Sequence, residues 1–211
     1  MVGRESSQYP KWRELIMQKL ILIGGGGHCK SCIDVIEQEK KYEIIGILDR
    51  EDLVGQTILD YTFIGTDDDI QKYVEEGCSF LITVGQIKSS DIRYKLAIIL
   101  KENNAKLATV ISPRAYVSSY AKIAEGTIVM HDVLVNASAS IGKHCIINSK
   151  ALIEHDVSIE DFCHISTAAV VNGGVKVQSG TFFGSNAVSK EYVSTQKDDF
   201  IKAGSIYKGQ S

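Results

Sequence analysis

The chain has 211 residues, 44% of them hydrophobic and 23% charged, with a net charge of -3. That is enough for one large or two modest domains around a sizeable core. It offers no electrostatic case for nucleic acid or an anionic membrane as partner. The five cysteines, Cys29, Cys32, Cys78, Cys145 and Cys163, are odd in number and scattered. They argue against a disulfide framework and for a reducing cytoplasm.

Residues 1–16 are polar and carry the only tryptophan, Trp12, and Met17 then directly precedes Gln-Lys-Leu-Ile-Leu-Ile-Gly, like a natural start. They read as an N-terminal extension, disordered or loosely docked. No signal core or membrane span is expected, because the apolar run Leu20–Ile23 is too short. Lys19–Ile23 predicts a buried strand ending in Gly24-Gly25-Gly26-Gly27, followed by His28 and a helical pattern through Glu39. Glu43–Leu48 predicts a second strand closed by Asp49-Arg50, and Thr62–Ile64 a short third one. Thr66 before Asp67, Asp68 and Asp69 suits a capped helix start with acids in its first turn. Ser79–Val84 then reads as a strand and Asp91–Asn103 as an amphipathic helix. Strands alternating with helices predict a small, Rossmann-like parallel α/β domain over 17–110.

The glycine run lies between a strand and a helix, where bare N–H groups and the helix dipole attract phosphate. Asp49 ends the next strand, near where a ribose-binding acid belongs, with Arg50 beside it. The dinucleotide fingerprint itself fails, since its third glycine would fall on Cys29 or Lys30. Phosphate or nucleotide binding is therefore expected rather than a nicotinamide cofactor, with a purely structural turn as the alternative. His28 and Lys30 either assist the phosphate or form a solvated first turn. Cys29-Lys-Ser-Cys32 has the spacing of half a zinc site, but without a second pair it reads as a packed helix face, and no metal is expected.

From Ile111 to Phe183 the sequence repeats every six residues. Ile111, Val117, Ile123, Val129, Val135, Ile141, Ile147, Ile153, Ile159, Ile165, Val171, Val177 and Phe183 are all apolar, and all but the last are β-branched. Two residues before most stops sits a small side chain, as at Ala121, Ala139, Cys145 and Cys163. Neither a helical period of 3.6 nor a strand period of 2 fits. A period of six implies a short strand plus a turn, three such units closing one triangular coil of a β-helix. The stop and the residue two before it point inward, the residue between them outward, and the residues after the stop make the corner. This C-terminal β-helix is expected over 111–190. The tail, 191–211, is polar, with one helical candidate over 196–203.

Inward-facing Cys145 and Cys163 are poorly placed as nucleophiles. His155 falls at a corner between Glu154 and Asp156, while His164 points outward from a wall. A neighbouring carboxylate fixes the tautomer of an imidazole, as a general base requires. An ordinary solvated turn histidine fits the spacing equally well.

Lys19-Leu-Ile-Leu-Ile-Gly-Gly-Gly-Gly-His28, Ile47-Leu-Asp49, the hexads and Glu154-His155-Asp156 together resemble the NeuD-type sugar acyltransferases. This family of left-handed β-helix transferases includes the sialic acid O-acetyltransferase and the PglD-like N-acetyltransferases of nucleotide-activated amino sugars. The resemblance covers about Met17 to Lys190. It implies a homotrimer, with a nucleotide sugar held by the α/β domain and acetyl-CoA lying along the coil between subunits. The base then falls on His155, its acidic partner on Glu154 or Asp156, and a second active-site histidine on His164. Backbone at Gly173, Gly174 and Gly184 would border the pantetheine. The chain departs from the family in its four consecutive glycines and in Ala203-Gly-Ser-Ile-Tyr207 near the end. Three functions follow for comparison: N-acetylation of a nucleotide-linked amino sugar, O-acetylation of sialic acid or a related sugar, and a non-catalytic trimeric scaffold, which the Glu154-His155-Asp156 corner opposes.

Overall fold

A computed structural model describes residues 17–209, so the expected extension over 1–16 lies outside the described residues. Strand β1 (Gln18–Ile23) is the spine of the N-terminal domain. Its last four residues are buried, and alternate side chains serve two cores. Leu20 and Leu22 pack towards helix α1 (Gly27–Glu39), while Ile21 and Ile23 pack towards α2 (Ile70–Glu75) and α3 (Asp91–Glu102). The remaining strands are β2 (Tyr42–Leu48), β3 (Thr57–Ile58), β4 (Tyr61–Gly65), β5 (Ser79–Ile82) and β6 (Lys106–Leu107), in the order β3-β4-β2-β1-β5-β6. All pairings are parallel except the short β3–β4 hairpin, which the sequence reading missed. Thr66 does cap its helix start, through a capping box with Asp69. Cys29 and Cys32 are buried on α1, as expected of a packed face.

The C-terminal half is a left-handed parallel β-helix. Two-residue strands stack into three walls, typified by Val110–Ile111, Tyr116–Val117 and Lys122–Ile123. Each strand pairs in parallel with its equivalent one turn away, as Ile128 does with Val110 and Ile146. The coil also extends past Ser189. Phe200–Ile201 and Ile206–Tyr207 add strands to two walls, and Lys176 bridges Ser194 on the third. The helix expected over 196–203 does not form. Ile201 keeps the buried hexad position there, and the polar residues around it make the corners.

One corner has an internal ladder of donors. Thr127 Oγ1 donates to Gly142 O, Cys145 Sγ to Glu160 O, Cys163 Sγ to Gln178 O and Thr181 Oγ1 to Gln196 O. The inward cysteines therefore satisfy buried carbonyls as well as filling space. Thr127 Oγ1 also accepts from Cys145 N at 2.9 Å.

The α/β domain docks on the wall that contains Val110–Ile111 and His164–Ile165. Buried Arg93 on α3 donates to Ile82 O, Val84 O and His144 O, the last at 2.7 Å. Glu39 Oε1 accepts from Ile111 N, and Lys41 Nζ and Tyr42 OH donate to Thr109 O. Asp34, His131 and Ser112 form a hydrogen-bonded chain from α1 to the coil, with contacts of 2.8 and 2.6 Å. Ser112 is only 1% exposed, so this serine–histidine–aspartate string ties the domains together and is closed to substrate.

The donor ladder makes the first prediction. Thr127→Val keeps the side-chain shape but leaves Gly142 O and Cys145 N unpaired. Stability in urea denaturation should fall by about 1–3 kcal/mol for each buried group orphaned, whereas Thr127→Ser should stay near wild type.

Candidate functional site

The four glycines have different duties. Gly24 has φ +96 and a side chain there would collide with Val84, while one at Gly25 would collide with the Phe63 ring. The space beyond Gly26 and Gly27 is open to 4 Å. Helix α1 begins at this point without any side-chain cap, so the positive end of its dipole is unoccupied by protein.

These residues floor a cavity of about 990 Å³ at the carboxyl ends of β1, β2, β4 and β5. Gly24, Gly26, Gly27, His28, Asp49 and Arg50 line it together, so the expected substrate-binding set is gathered in one place, apart from Gly25. Gly25 is held back because its N–H donates to Asp49 Oδ2 at 2.6 Å. Asp49 thus shapes the glycine turn, and its Oδ1 accepts from Arg50 N as well. The sequence reading missed Thr66, Asp67 and Asp68 on the opposite rim, and Val84, Gly85 and Ile87 after β5. Burial, with Asp49 close by, raises the Asp67 carboxyl above its usual range.

His155 stands at the corner between Leu152–Ile153 and Ser158–Ile159, with its side chain 52% exposed. Its Nδ1 lies 2.8 Å from Asp156 Oδ2. Glu154 is turned elsewhere, its Oε2 accepting from Asn136 Nδ2 and from His155 N. Of the two candidate acids, Asp156 is the one that orients the ring. A carboxylate only accepts, so Nδ1 bears the hydrogen and Nε2 the lone pair. Gly173 lies directly beneath, where a Cβ would be 2.8 Å from His155 Nε2. Gly174 N donates to His155 O, and a side chain at Gly174 would strike Tyr192. Gly184 is a packing residue. Its N–H is committed to Ile201 O, and a Cβ there would come within 2.5 Å of Ala203 N.

His164 and His144 are outward in the hexad yet only 6% exposed each, because the α/β domain covers them. The His144 ring stacks on Phe162, and that of His164 lies 6.4 Å from the ring of His28. Burial lowers the pKa of His28 to about 3 and of His144 and His164 to about 4, with the buried Arg93 guanidinium acting the same way. His164 therefore borders the glycine-loop side of the molecule, on the wall opposite the corner that carries His155. One chain does not bring the two histidines together.

Stacked hexads beneath a docked glycine-loop domain define a hexapeptide-repeat architecture. Residues 19–97 match the PglD N-terminal domain. Among solved structures, the chain is similar to a histidine-to-asparagine variant of perosamine N-acetyltransferase from Caulobacter crescentus in complex with CoA and GDP-perosamine. Identity there is 28%, covering 90% of this chain and 89% of that chain, with a TM-score of 0.84. It is also similar to the acetyltransferase domain of PglB from Neisseria gonorrhoeae FA1090, at 26% identity over 91% of this chain and 92% of that one, TM-score 0.84. The same domain in complex with acetyl coenzyme A matches at 26% identity, 92% and 94% coverage and a TM-score of 0.82. No curated protein matches the chain by sequence. The likeness to these structures runs through the α/β domain and the coil alike, over nine-tenths of the chain. Among the described residues, no helix is long and apolar enough to cross a membrane.

Two predictions follow from this geometry. Gly26→Val should fold normally, because its side chain meets open space, and should weaken whatever affinity the start of α1 has for a phosphate probe such as GDP, read by calorimetry. Gly25→Val should lower the melting temperature instead. The second concerns pH. Unfolded, His28, His144 and His164 take up protons near pH 6.5; folded, they do so only at about 4 or below. Between those values the unfolded chain binds more protons, so stability rises with pH. Urea titrations should show the contribution complete above pH 6.5 and shrinking as pH falls towards 4, with a shallower slope in His144→Gln.

Proposed function

We propose that the chain is an acetyl-CoA-dependent acetyltransferase acting on the amino group of a nucleotide-activated amino-dideoxy sugar, in the biosynthesis of a surface glycan. The observation that carries this reading is the likeness, along nine-tenths of the chain, to an N-acetyltransferase bound to CoA and GDP-perosamine. The glycine-loop cavity holds the diphosphate at the start of α1, where the dipole and bare backbone favour anions. The pantetheine arm runs along the coil past Gly173.

His155 is the general base. Its Nε2 takes a proton from the acceptor nitrogen as that nitrogen attacks the thioester carbonyl. The C–N bond forms, the carbonyl electrons shift to oxygen and return, and the C–S bond breaks to release the CoA thiolate. Asp156 holds the ring and stabilises the imidazolium.

Assembly follows from the same placement. His155 lies across the coil from the cavity, so a complete site needs a second chain to supply one of the two. A cyclic trimer repeats such a heterologous contact three times and covers coil walls that a lone chain exposes. These sites lie between subunits of a cytoplasmic homotrimer.

Each part can be tested. His155→Ala should keep assembly and both affinities while lowering turnover, read as CoA release, roughly 10²–10⁴-fold. Asp156→Asn should cost more than Glu154→Gln, since Asp156 alone contacts the ring. Unchanged turnover in His155→Ala would sink the base assignment. A thermal-shift screen of GDP-, UDP-, dTDP- and CMP-sugars, with acetyl-CoA present, should single out one nucleotide, because a true ligand stabilises by mass action. Light scattering should give a trimer, and a fully active monomer would exclude the shared site.

A further inference from the structure

The cavity over the glycine turn is short of positive charge. Its lining carries the carboxylates of Asp49, Glu51, Asp67 and Asp68 against one cation, Arg50. Arg50 in turn faces solvent, 73% exposed, and pairs with Asp52. Arg93 lies behind the cavity wall. It is 1% exposed, and stripping a guanidinium of water is costly. Its partners are the carbonyls of Ile82, Val84 and His144, and its Nε has none. Among the described residues no carboxylate pairs with it, so its charge is uncompensated. Val84 stands between this charge and the glycine turn. Arg93 Nη1 donates to Val84 O at 2.5 Å, Val84 lines the cavity, and a Cβ on Gly24 would come within 3.1 Å of Val84 N. Thr83 completes the stack, its Oγ1 donating to Gly24 O at 2.6 Å. The charge is felt at the cavity. After burial, it is the strongest influence lowering the pKa of the lining His28 to about 3.

We propose that Arg93 is the fixed counter-charge of this cavity, raising its affinity for a diphosphate that the guanidinium never touches. This rests on reading the cavity as the nucleotide-sugar site, and it names what offsets the acidic rim. The start of α1 supplies bare N–H groups and a dipole, but only a fractional charge of about +0.5. A whole charge behind Val84, in surroundings less polar than water, adds to that field and is screened little by salt. A unit charge acting over roughly 10 Å at an effective dielectric of about 20 changes the affinity for one negative charge about 10-fold. A carboxylate in place of those carbonyls would hold the side chain as well and cancel the field.

Calorimetry on the full chain, with inorganic pyrophosphate as the probe, tests this through variants that separate charge from bonding. Arg93→Gln removes the charge and keeps an amide donor, whereas Arg93→Lys keeps the charge and gives up the guanidinium fork. Arg93→Gln should weaken pyrophosphate binding roughly 10-fold, and Arg93→Lys should stay within about twofold of wild type, although both melt earlier. Gly26→Val should weaken the same binding, which ties the signal to the glycine turn. A merely structural role would weaken binding in the Lys and Gln variants alike, in step with their melting temperatures. Wild-type affinity in a folded Arg93→Gln overturns the proposal, as does a wild type that binds no pyrophosphate. If Arg93→Gln does not fold, Arg93→Lys decides alone. Near-wild-type affinity at a lowered melting temperature then supports the proposal, and weakened binding overturns it. Binding needs no reaction, so this pattern in a chain that acetylates no sugar would count against the acetyltransferase reading alone.

Discussion

Every other feature depends on the backbone bonding between turns of the coil. Each turn satisfies its N–H and C=O groups on the turns beside it, which demands that the chain bend sharply at three corners and re-enter in register. From Gly126 onward the bend is made by one left-handed residue per corner. Asp132, Ser138, His144, Lys150, Asp156, Phe162 and Ala168 recur at that conformation every six residues, and the series continues to Gly204. From His144 onward the N–H of each such residue donates to a carbonyl of the preceding turn, as Asp156 does to Ala137 O at 3.1 Å. A non-glycine residue in this region costs about 1–2 kcal/mol, which the added bond and the closed stack offset. The proposed site inherits its shape from this constraint. Asp156 is the left-handed residue of its corner, a role aspartate tolerates better than most, and its carboxylate reaches the Nδ1 of His155.

The apolar half of the architecture was legible, and the polar half was not. Ile111 to Phe183 announced the walls because one side chain every six residues must be large and β-branched to fill a corner of the triangle. The left-handed positions announced nothing, since histidine, lysine, phenylalanine and alanine occupy them alike; there the constraint falls on the backbone. The end of the coil was missed for a related reason. Past Ser189 the walls need fewer aliphatic residues, and Ile201 is a lone inward anchor among polar neighbours. In the site, Gly24–Gly27 were visible as a set, but their separate duties depend on Val84 and Phe63, which are distant in sequence.

Contact between the two domains is written mainly in backbone oxygen. Arg93, Gln86, Lys41 and Tyr42 all donate to carbonyls of the coil region, and His164 donates to a carbonyl of the α/β domain. Carbonyls have no residue identity, so no pattern of paired charges could reveal the interface. Arg93 looked like one cation on an amphipathic helix; it is the largest fully buried side chain among the described residues. A fixed array of carbonyls also suits histidines that must stay neutral, because it orients a ring without adding a carboxylate to charge it.

In a coil that repeats every eighteen residues, position in the chain behaves as an angle. Eighteen residues make one full revolution and one rung of about 4.8 Å, and six carry the chain from one wall to the next. His155 and His164 are half a revolution apart for this reason alone. Lengthening the coil by a whole turn would therefore slide the later rungs along the axis and preserve every facing. Adding a single hexad upstream of His155 would rotate the whole downstream face by one wall, separating it from the domain it now meets. A coil of this kind can grow or shrink without turning its faces only by whole rungs.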